Sequence, residues 1–324
     1  MRAPLPPRLP NAPHRFHGGS AAATLPVGCT LPADAAGLHS LLLKTSDDDG
    51  RTWSRPALVH TNSTEADPPN SWSTIGDALP LLDEHTGIVH LIFTRDNQDV
   101  FATSSARAAR PGPMSGPADW APPRNISSVA VKDRSHFVGT GHAAGLQLGD
   151  EAGTMLVPMY GGGSNSFVLA SEDRGASWAI RSQLDAPPNE WVMTKLAAHD
   201  DRRLFASLRS STHHRLQSWS QDGARSWEPT KPAALPEPLS GCEGSALLHP
   251  NGLLYYAHPS EPLFRNMMDI KVSRTGGRTW EQHARIWGPG AGCEPPCVPA
   301  ASYSSMAVLG EAQDSAVGLF YMRK

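Results

Sequence analysis

The amino-acid sequence predicts an all-β fold, a six-bladed β-propeller whose closing blade is expected to be complete or short of strands. Three observations point there. A skeleton Ser-x-Asp-x-Gly-x-Thr-Trp recurs, whole or worn, five times along the chain. Its tryptophans at 53, 120, 178, 227 and 280 are 67, 58, 49 and 53 residues apart, which suits one four-stranded blade per repeat. Finally, 29 Gly and 30 Pro cut the 324 residues into short segments, and no long stretch keeps a helical period. Six blades of about 54 residues would use up the chain.

Taken in order, residues 1–30 are rich in Pro, Gly and small residues without alternation and are expected to be poorly structured; residues 31–324 are expected to form one propeller domain. The first repeat is Ser46, Asp48, Gly50, Thr52 and Trp53. A broken copy spans Ser104 to Trp120, swollen by a Pro/Gly-rich insertion. The next reads Ser171, Asp173, Gly175, Ser177 and Trp178; another, Ser220, Asp222, Ser226 and Trp227, has its glycine one place early at Gly223. The last is Ser273, Gly277, Thr279 and Trp280, with Thr275 where Asp is expected. In such a turn Asp accepts backbone N–H groups, Gly supplies a positive φ, and Trp packs between neighbouring sheets. The repeat staples a hairpin and performs no chemistry. Between the repeats, Val89 to Phe93, Thr154 to Tyr160, Phe167 to Ser171, Leu204 to Arg209 and Asp269 to Ser273 read as strands. Ala246 to Ala257 reads as a hairpin turning at Asn251-Gly252. Arg107 to Asp119 and Gly288 to Val298 read as loop insertions.

The totals exclude several function classes. A formal net charge of −3 with scattered basic residues argues against nucleic-acid or bulk anionic-membrane binding. No apolar run approaches the roughly 20 residues that span a bilayer, and the N-terminus lacks the apolar core of a signal peptide. A soluble protein, or one whose true N-terminus is missing, is the expectation; the compartment stays open. Cys293 and Cys297 lie in a Pro-rich loop without a CxxC pair or His partner, which disfavours zinc and leaves a local disulfide, or one to Cys242, open. Asn62-Ser63-Thr64 and Asn125-Ile126-Ser127 are glycosylation sequons that matter only in a secreted context.

Eight short segments carry the functional signal: Ile75-Gly76-Asp77, Phe93-Thr94-Arg95-Asp96-Asn97, Gly139-Thr140-Gly141-His142, Asn189-Glu190, Leu208-Arg209-Ser210, Gly241-Cys242-Glu243-Gly244-Ser245, Phe264-Arg265-Asn266 and Ser302-Tyr303-Ser304. In this order, and with repeats similar to Asp boxes, the chain resembles the sialidase (exo-α-neuraminidase) family over residues 34–322. The resemblance implies a sialidase-like propeller acting on sialylated oligosaccharides, glycoproteins or gangliosides, without a metal or other cofactor. Sialic acid bears a carboxylate on its anomeric carbon. Arg209 and Arg265 match two of the family's three carboxylate-binding arginines, a task suited to the planar guanidinium.

The same carboxylate disfavours an anionic nucleophile, and sialidases use a Tyr instead. Tyr303 matches that nucleophile and Glu190 the base that activates it, with Glu243 a second candidate for the base. The family's acid/base Asp lies a set distance before the first repeat Trp; counted back from Trp53, that position is Ala35, next to Asp34, which is taken as the acid. Two departures stand out. No Phe-Arg-Ile-Pro strand with the first carboxylate-binding arginine precedes Asp34, Arg8 and Arg15 being weak stand-ins, and no Glu follows Gly318-Leu319-Phe320-Tyr321. A hydrolase weakened by the lost arginine, an inactive sialidase-like lectin or scaffold, and a hydrolase or lyase on another acidic sugar are the functions these features allow.

Overall fold

A computed structural model describes residues 40–46, 48–62, 73–106, 117–141, 143–197, 200–293, 301–310 and 314–323. The N-terminal segment expected to be poorly structured, with Asp34, Arg8 and Arg15, lies outside the described residues.

Nearly all the regular structure of the described chain is strand, laid down as successive sheets that are antiparallel except for one short parallel pairing, of Gly288 with Gly292 and Pro289 with Cys293. Two strands, β1 (Ser40–Leu43) and β2 (Ala57–Thr61), make the first. The second has β3 (Ile75–Leu82), β4 (Val89–Arg95), β5 (Asp99–Ser104) and β6 (Arg124–Asn125). The third has β7 (Val138–Thr140), β8 (Leu146–Gln147), β9 (Met155–Gly161), β10 (Ser164–Ser171) and β11 (Ala179–Gln183), and the fourth β12 (Trp191–Lys195), β13 (Leu204–Leu208), β14 (His214–Ser220) and β15 (Lys231–Pro236). The fifth has β16 (Ser245–Leu248), β17 (Leu254–Pro259), β18 (Met268–Ser273), β19 (Glu281–Pro289) and β20 (Gly292–Cys293). A last pair, β21 (Ala301–Leu309) and β22 (Ala316–Arg323), follows. Consecutive sheets touch mainly through their leading strands: β1 meets β3, β3 meets β7, β12 meets β16 and β16 meets β21, while the third and fourth sheets meet through β9 and β12. This is a propeller-like arrangement.

The repeat turns behave as their residues require. Asp48 accepts the Thr52 N–H at 2.8 Å and its hydroxyl at 2.6 Å; Asp173 and Asp222 do the same for Ser177 and Ser226. Each turn places two successive residues at positive φ, the second of which is Gly50, Gly175 or Gly277 in three of them. In the third turn, the early Gly223 takes only the first place and Ala224 is held at φ 65°, a conformation that an L side chain resists. Ala224 is fully buried, and its N–H reaches Ser220 Oγ at 2.9 Å; the hydrogen bond and the packing outweigh the local strain.

The repeat tryptophans pack backwards onto the preceding sheet. Trp178 joins the core of the second and third sheets with Leu79, Ile92, Val100 and Phe167; Trp227 packs with third- and fourth-sheet residues, and Trp280 meets Phe205 and Tyr256. By the same rule Trp53 should meet whatever precedes the first sheet, and its ring lies edge-on to Phe320 of β22, with centroids 5.1 Å apart. The first repeat therefore packs on the last sheet.

The 246–257 hairpin forms and turns through Asn251-Gly252 as expected: Leu248 pairs with Leu254 across a five-residue loop, in which the His249 ring bonds to the Ser315 carbonyl and accepts the Asn251 N–H. One expectation needs correction. Cys242 is a buried free thiol, so it forms no bridge to the 293–297 loop; a Cys293–Cys297 pair falls on side chains outside the described set. No described helix is long and apolar enough to cross a membrane.

Candidate active site

Antiparallel pairing sets the first two site residues side by side. Trp191 of β12 pairs with Leu208 of β13, so the flanking Glu190 and Arg209 are neighbours just beyond the strand ends, joined by Arg209 N–H to Glu190 C=O at 2.9 Å. Tyr303 arrives from β21 at a break in register: Ser302 pairs with Met322 and Ser304 with Tyr321, which makes Tyr303 the unpaired residue of a bulge. Such a bulge re-aims a side chain.

The three side chains converge. Tyr303 Oη donates to Glu190 Oε1 at 2.7 Å; Arg209 Nη1 donates to Glu190 Oε2 at 2.6 Å and to Tyr303 Oη at 3.1 Å. The Arg265 guanidinium stands 5.5 Å over the Tyr303 ring. Burial first, and then the adjacent Glu190, push the Tyr303 phenol well above its usual range, so it rests as a neutral proton donor. Burial disfavours the charge on Arg209, but Glu190 and Tyr303 beside it win and hold it more firmly protonated than usual.

Both guanidiniums are seated by one loop. Arg209 donates through Nη2 to Ser240 C=O at 2.9 Å, and Arg265 through Nη2 to Gly241 C=O at 2.9 Å. Gly241 must be glycine here: its φ is 66°, and a Cβ would come within 2.4 Å of Ser210 C=O. The loop is pinned from beneath by an ion pair absent from the sequence reading. Arg215 is fully buried and donates to Glu237 Oε1 at 2.6 Å, to Ser207 Oγ at 3.1 Å, and to Cys242 C=O. Glu237 in turn accepts the N–H groups of Ser210 at 2.9 Å and Cys242 at 3.3 Å. One buried pair thus ties the Arg209 strand end to the 240–243 loop.

Glu243, the alternative base, is completely buried behind this loop, where its charge is felt by Cys242, Arg215 and Tyr256. The Cys242 thiol is pushed up to about 11, by burial first, with Glu190 and Glu243 adding to the shift. The earlier segments hold a hydrogen-bonded group of their own. Asp77, at φ 47°, accepts Asn97 Nδ2 at 2.9 Å, and Thr140 Oγ1 donates to its carbonyl. The Tyr160 phenol is raised by burial and then by the charges of Asp77, Glu190 and Tyr303. Gly139 makes room for it, since a Cβ there would lie 2.5 Å from Tyr160 Oη. Asp77 lies in the Ile75-Gly76-Asp77 segment, whose pattern assigns it no role, while Tyr160, Arg215 and Glu237 carry no local signal in the sequence. Asp34, the expected acid, lies outside the described residues.

The model of the BNR repeat-like domain family matches residues 40–317. The chain is a sialidase-family protein with BNR repeats. Among curated relatives of that family, a sialidase from Micromonospora viridifaciens is 26% identical over 326 aligned residues, covering 89% of this chain and 45% of the relative. Sialidase-2 of Cricetulus griseus is 25% identical over 48% of this chain and 47% of its own length. The chain thus spans less than half the length of these two relatives. Of solved structures, a Hadza microbial sialidase superposes with a TM-score of 0.68 at 20% identity, covering 89% of this chain and 58% of that one. The intramolecular trans-sialidase of Ruminococcus gnavus gives 0.66 at 15%, covering 89% and 84%. At these identities the family shares its fold with this chain, and that likeness by itself says nothing of activity.

Proposed function

We propose that this chain is an exo-α-sialidase on a six-bladed propeller, releasing terminal α-linked sialic acid from glycoconjugates with retention through a tyrosine nucleophile. The observation that carries the reading is the 2.7 Å hydrogen bond from Tyr303 to Glu190, with Arg209 touching both. A phenol whose ionisation is opposed by burial and by a neighbouring carboxylate attacks only as its proton leaves, and Glu190 Oε1 stands where that proton goes.

The chemistry then balances. Arg209 and Arg265 hold the sugar carboxylate, which places the anomeric carbon above Tyr303 Oη. Tyr303 oxygen bonds to that carbon, its proton passes to Glu190, and the glycosidic bond breaks as the leaving oxygen takes a proton from an acid, the role assigned to Asp34. Water next attacks the same carbon, giving its proton to the acid residue, while the tyrosyl bond breaks and Glu190 returns the proton to Tyr303. Two inversions give net retention. A clamp of Arg209 and Arg265 without the family's first arginine should be weaker, since removing one desolvated charged partner typically costs roughly 2–5 kcal/mol. Six sheets in chain order, the first and last of two described strands, agree with a six-bladed ring closed where Trp53 meets Phe320.

The test is fluorescence release from a 4-methylumbelliferyl α-sialoside by the purified chain, with Tyr303→Phe in parallel. Turnover lost in the variant supports the mechanism; undiminished turnover removes Tyr303 from it. A folded chain that binds sialic acid but turns nothing over would be the inactive, lectin-like member instead.

A further inference from the structure

The last repeat is the one in which a hydroxyl replaces the turn carboxylate. Thr275 Oγ1 accepts the Thr279 N–H at 2.8 Å, and Gly277 N–H reaches Ser273 Oγ at 2.8 Å, so the turn survives the exchange. What is lost is one negative charge. That turn forms a wall of a cleft of about 390 Å³ between the fourth and fifth sheets, into which Arg203, Arg274 and Arg278 project along with Gln221 and Thr275. Among the described residues no carboxylate lines it. Arg278 lies 4.3 Å over the Trp219 ring, which steadies its plane, and pairs at the rim with Glu228 at 3.1 Å. Arg203 is 3.9 Å from Asp200, and both of these pairs are largely open to solvent. Arg274 has no acidic partner among the described residues.

The molecule contains its own control. The cleft between the third and fourth sheets also carries three arginines, Arg181, Arg202 and Arg225, but Asp150, Asp200, Asp201 and the turn residue Asp222 line it with them. Around the Thr275 turn no carboxylate lines the cleft; Glu228 and Asp200 reach Arg278 and Arg203 from outside it, and Arg274 has no acidic partner among the described residues. This cleft is at the far end of the strands from Tyr303. Glu190 precedes β12 and Leu196 follows it, and five residues at about 3.3 Å each separate the two ends by roughly 15 Å or more.

We propose that this cleft is a second, non-catalytic binding site for a tetrahedral oxyanion, and that its ligand is the sulfate or phosphate ester of a sugar. Guanidinium forks pair with two oxygens of such a group at once, and the Gln221 amide can bind a neighbouring hydroxyl. The inference does not rest on the sialidase reading, because neither the cleft nor its arginines take part in it.

The test is isothermal titration of the whole chain with sodium sulfate, sodium phosphate, glucose 6-sulfate and glucose 6-phosphate at constant ionic strength. Saturable binding is expected, tighter for the sugar esters than for the free anions. Thr275→Asp restores the charge found in the other repeats, so it should keep or raise the melting temperature while lowering affinity roughly tenfold or more. Arg274→Gln should lose affinity similarly. Sialoside turnover by Thr275→Asp should equal that of the parent, and a chain inactive to begin with leaves the titration unaffected. No saturable binding by the parent, or binding that survives both substitutions, overturns the proposal; free anions binding as well as the esters would overturn the sugar assignment.

Discussion

Replacing Arg215 by methionine should be among the most damaging single changes in this chain, although Arg215 touches neither Tyr303 nor Glu190 in the hydrogen bonds that build the site. Its guanidinium and the Glu237 carboxylate are 0% and 1% exposed, and the pair is closed at 2.6 Å. Methionine fills much of the volume but leaves Glu237 buried with only the Ser210 and Cys242 N–H groups to hold its charge. Stranding one member of a buried pair costs about 3–5 kcal/mol. In a domain of this size that is a fall in Tm on the order of 10 °C. The double variant Arg215→Met/Glu237→Met removes the stranded charge and should recover much of the loss. Urea unfolding followed by tryptophan fluorescence reads both. Because the 240–243 loop seats Arg209 and Arg265, the single variant should also raise KM for a sialoside more than it lowers kcat. A loss below about 1 kcal/mol, or a double variant no more stable than the single, would show that the pair does not hold the loop as argued.

Four further outcomes are expected. Tyr303→Phe should abolish sialoside turnover with the melting temperature nearly unchanged, as circular dichroism and the fluorogenic assay will report together. Arg265→Ala should weaken binding of a sialoside far more than of its methyl ester, whereas Arg209→Ala should also depress kcat because it touches Glu190 and Tyr303 directly; equal losses on acid and ester would remove the clamp role. Trp178→Ala, at 6% exposure in the core between the second and third sheets, should destabilise by roughly 3–5 kcal/mol in denaturant titrations. Asp83 is opposed by burial, yet hydrogen bonds from Gln147, Thr86 and the His85 N–H together with Arg174 hold its carboxyl down at about 2, against 3.8 ordinarily. A depressed folded value means stability present above about pH 4 and lost as pH falls towards 2, at most about 2 kcal/mol. Asp83→Asn should flatten that part of the stability profile, and an unchanged slope would show that other carboxylates dominate it.

Local chemistry was legible wherever one segment sufficed. The turns at Asp48, Asp173 and Asp222 could be read from short-range residue pattern because every partner lies within four positions. Strands β4, β9, β10, β13 and β18 could be placed within a residue or a few because alternation and turn residues bound them. The meeting of Glu190, Arg209, Arg265 and Tyr303 was reached through resemblance, not spacing, since Tyr303 is 113 residues from Glu190. No local pattern distinguishes Arg215 from a surface arginine in β14, and nothing near Asn251-Gly252 shows that His249 is drawn to a carbonyl 66 residues away.

By itself, then, the sequence determined an all-β repeat protein, the turns that staple its sheets, and the residue types able to meet an anionic sugar. Tertiary structure alone decided that Tyr303 stands at a bulge and donates to Glu190, that Arg215 and Glu237 are buried beneath the loop seating two arginines, and that Thr275 lines a cleft with three arginines and no carboxylate in its wall. The physical reason is range. Backbone hydrogen bonding and side-chain alternation act over a few residues and leave a periodic trace, whereas burial and charge pairing depend on which sheets come to lie against one another.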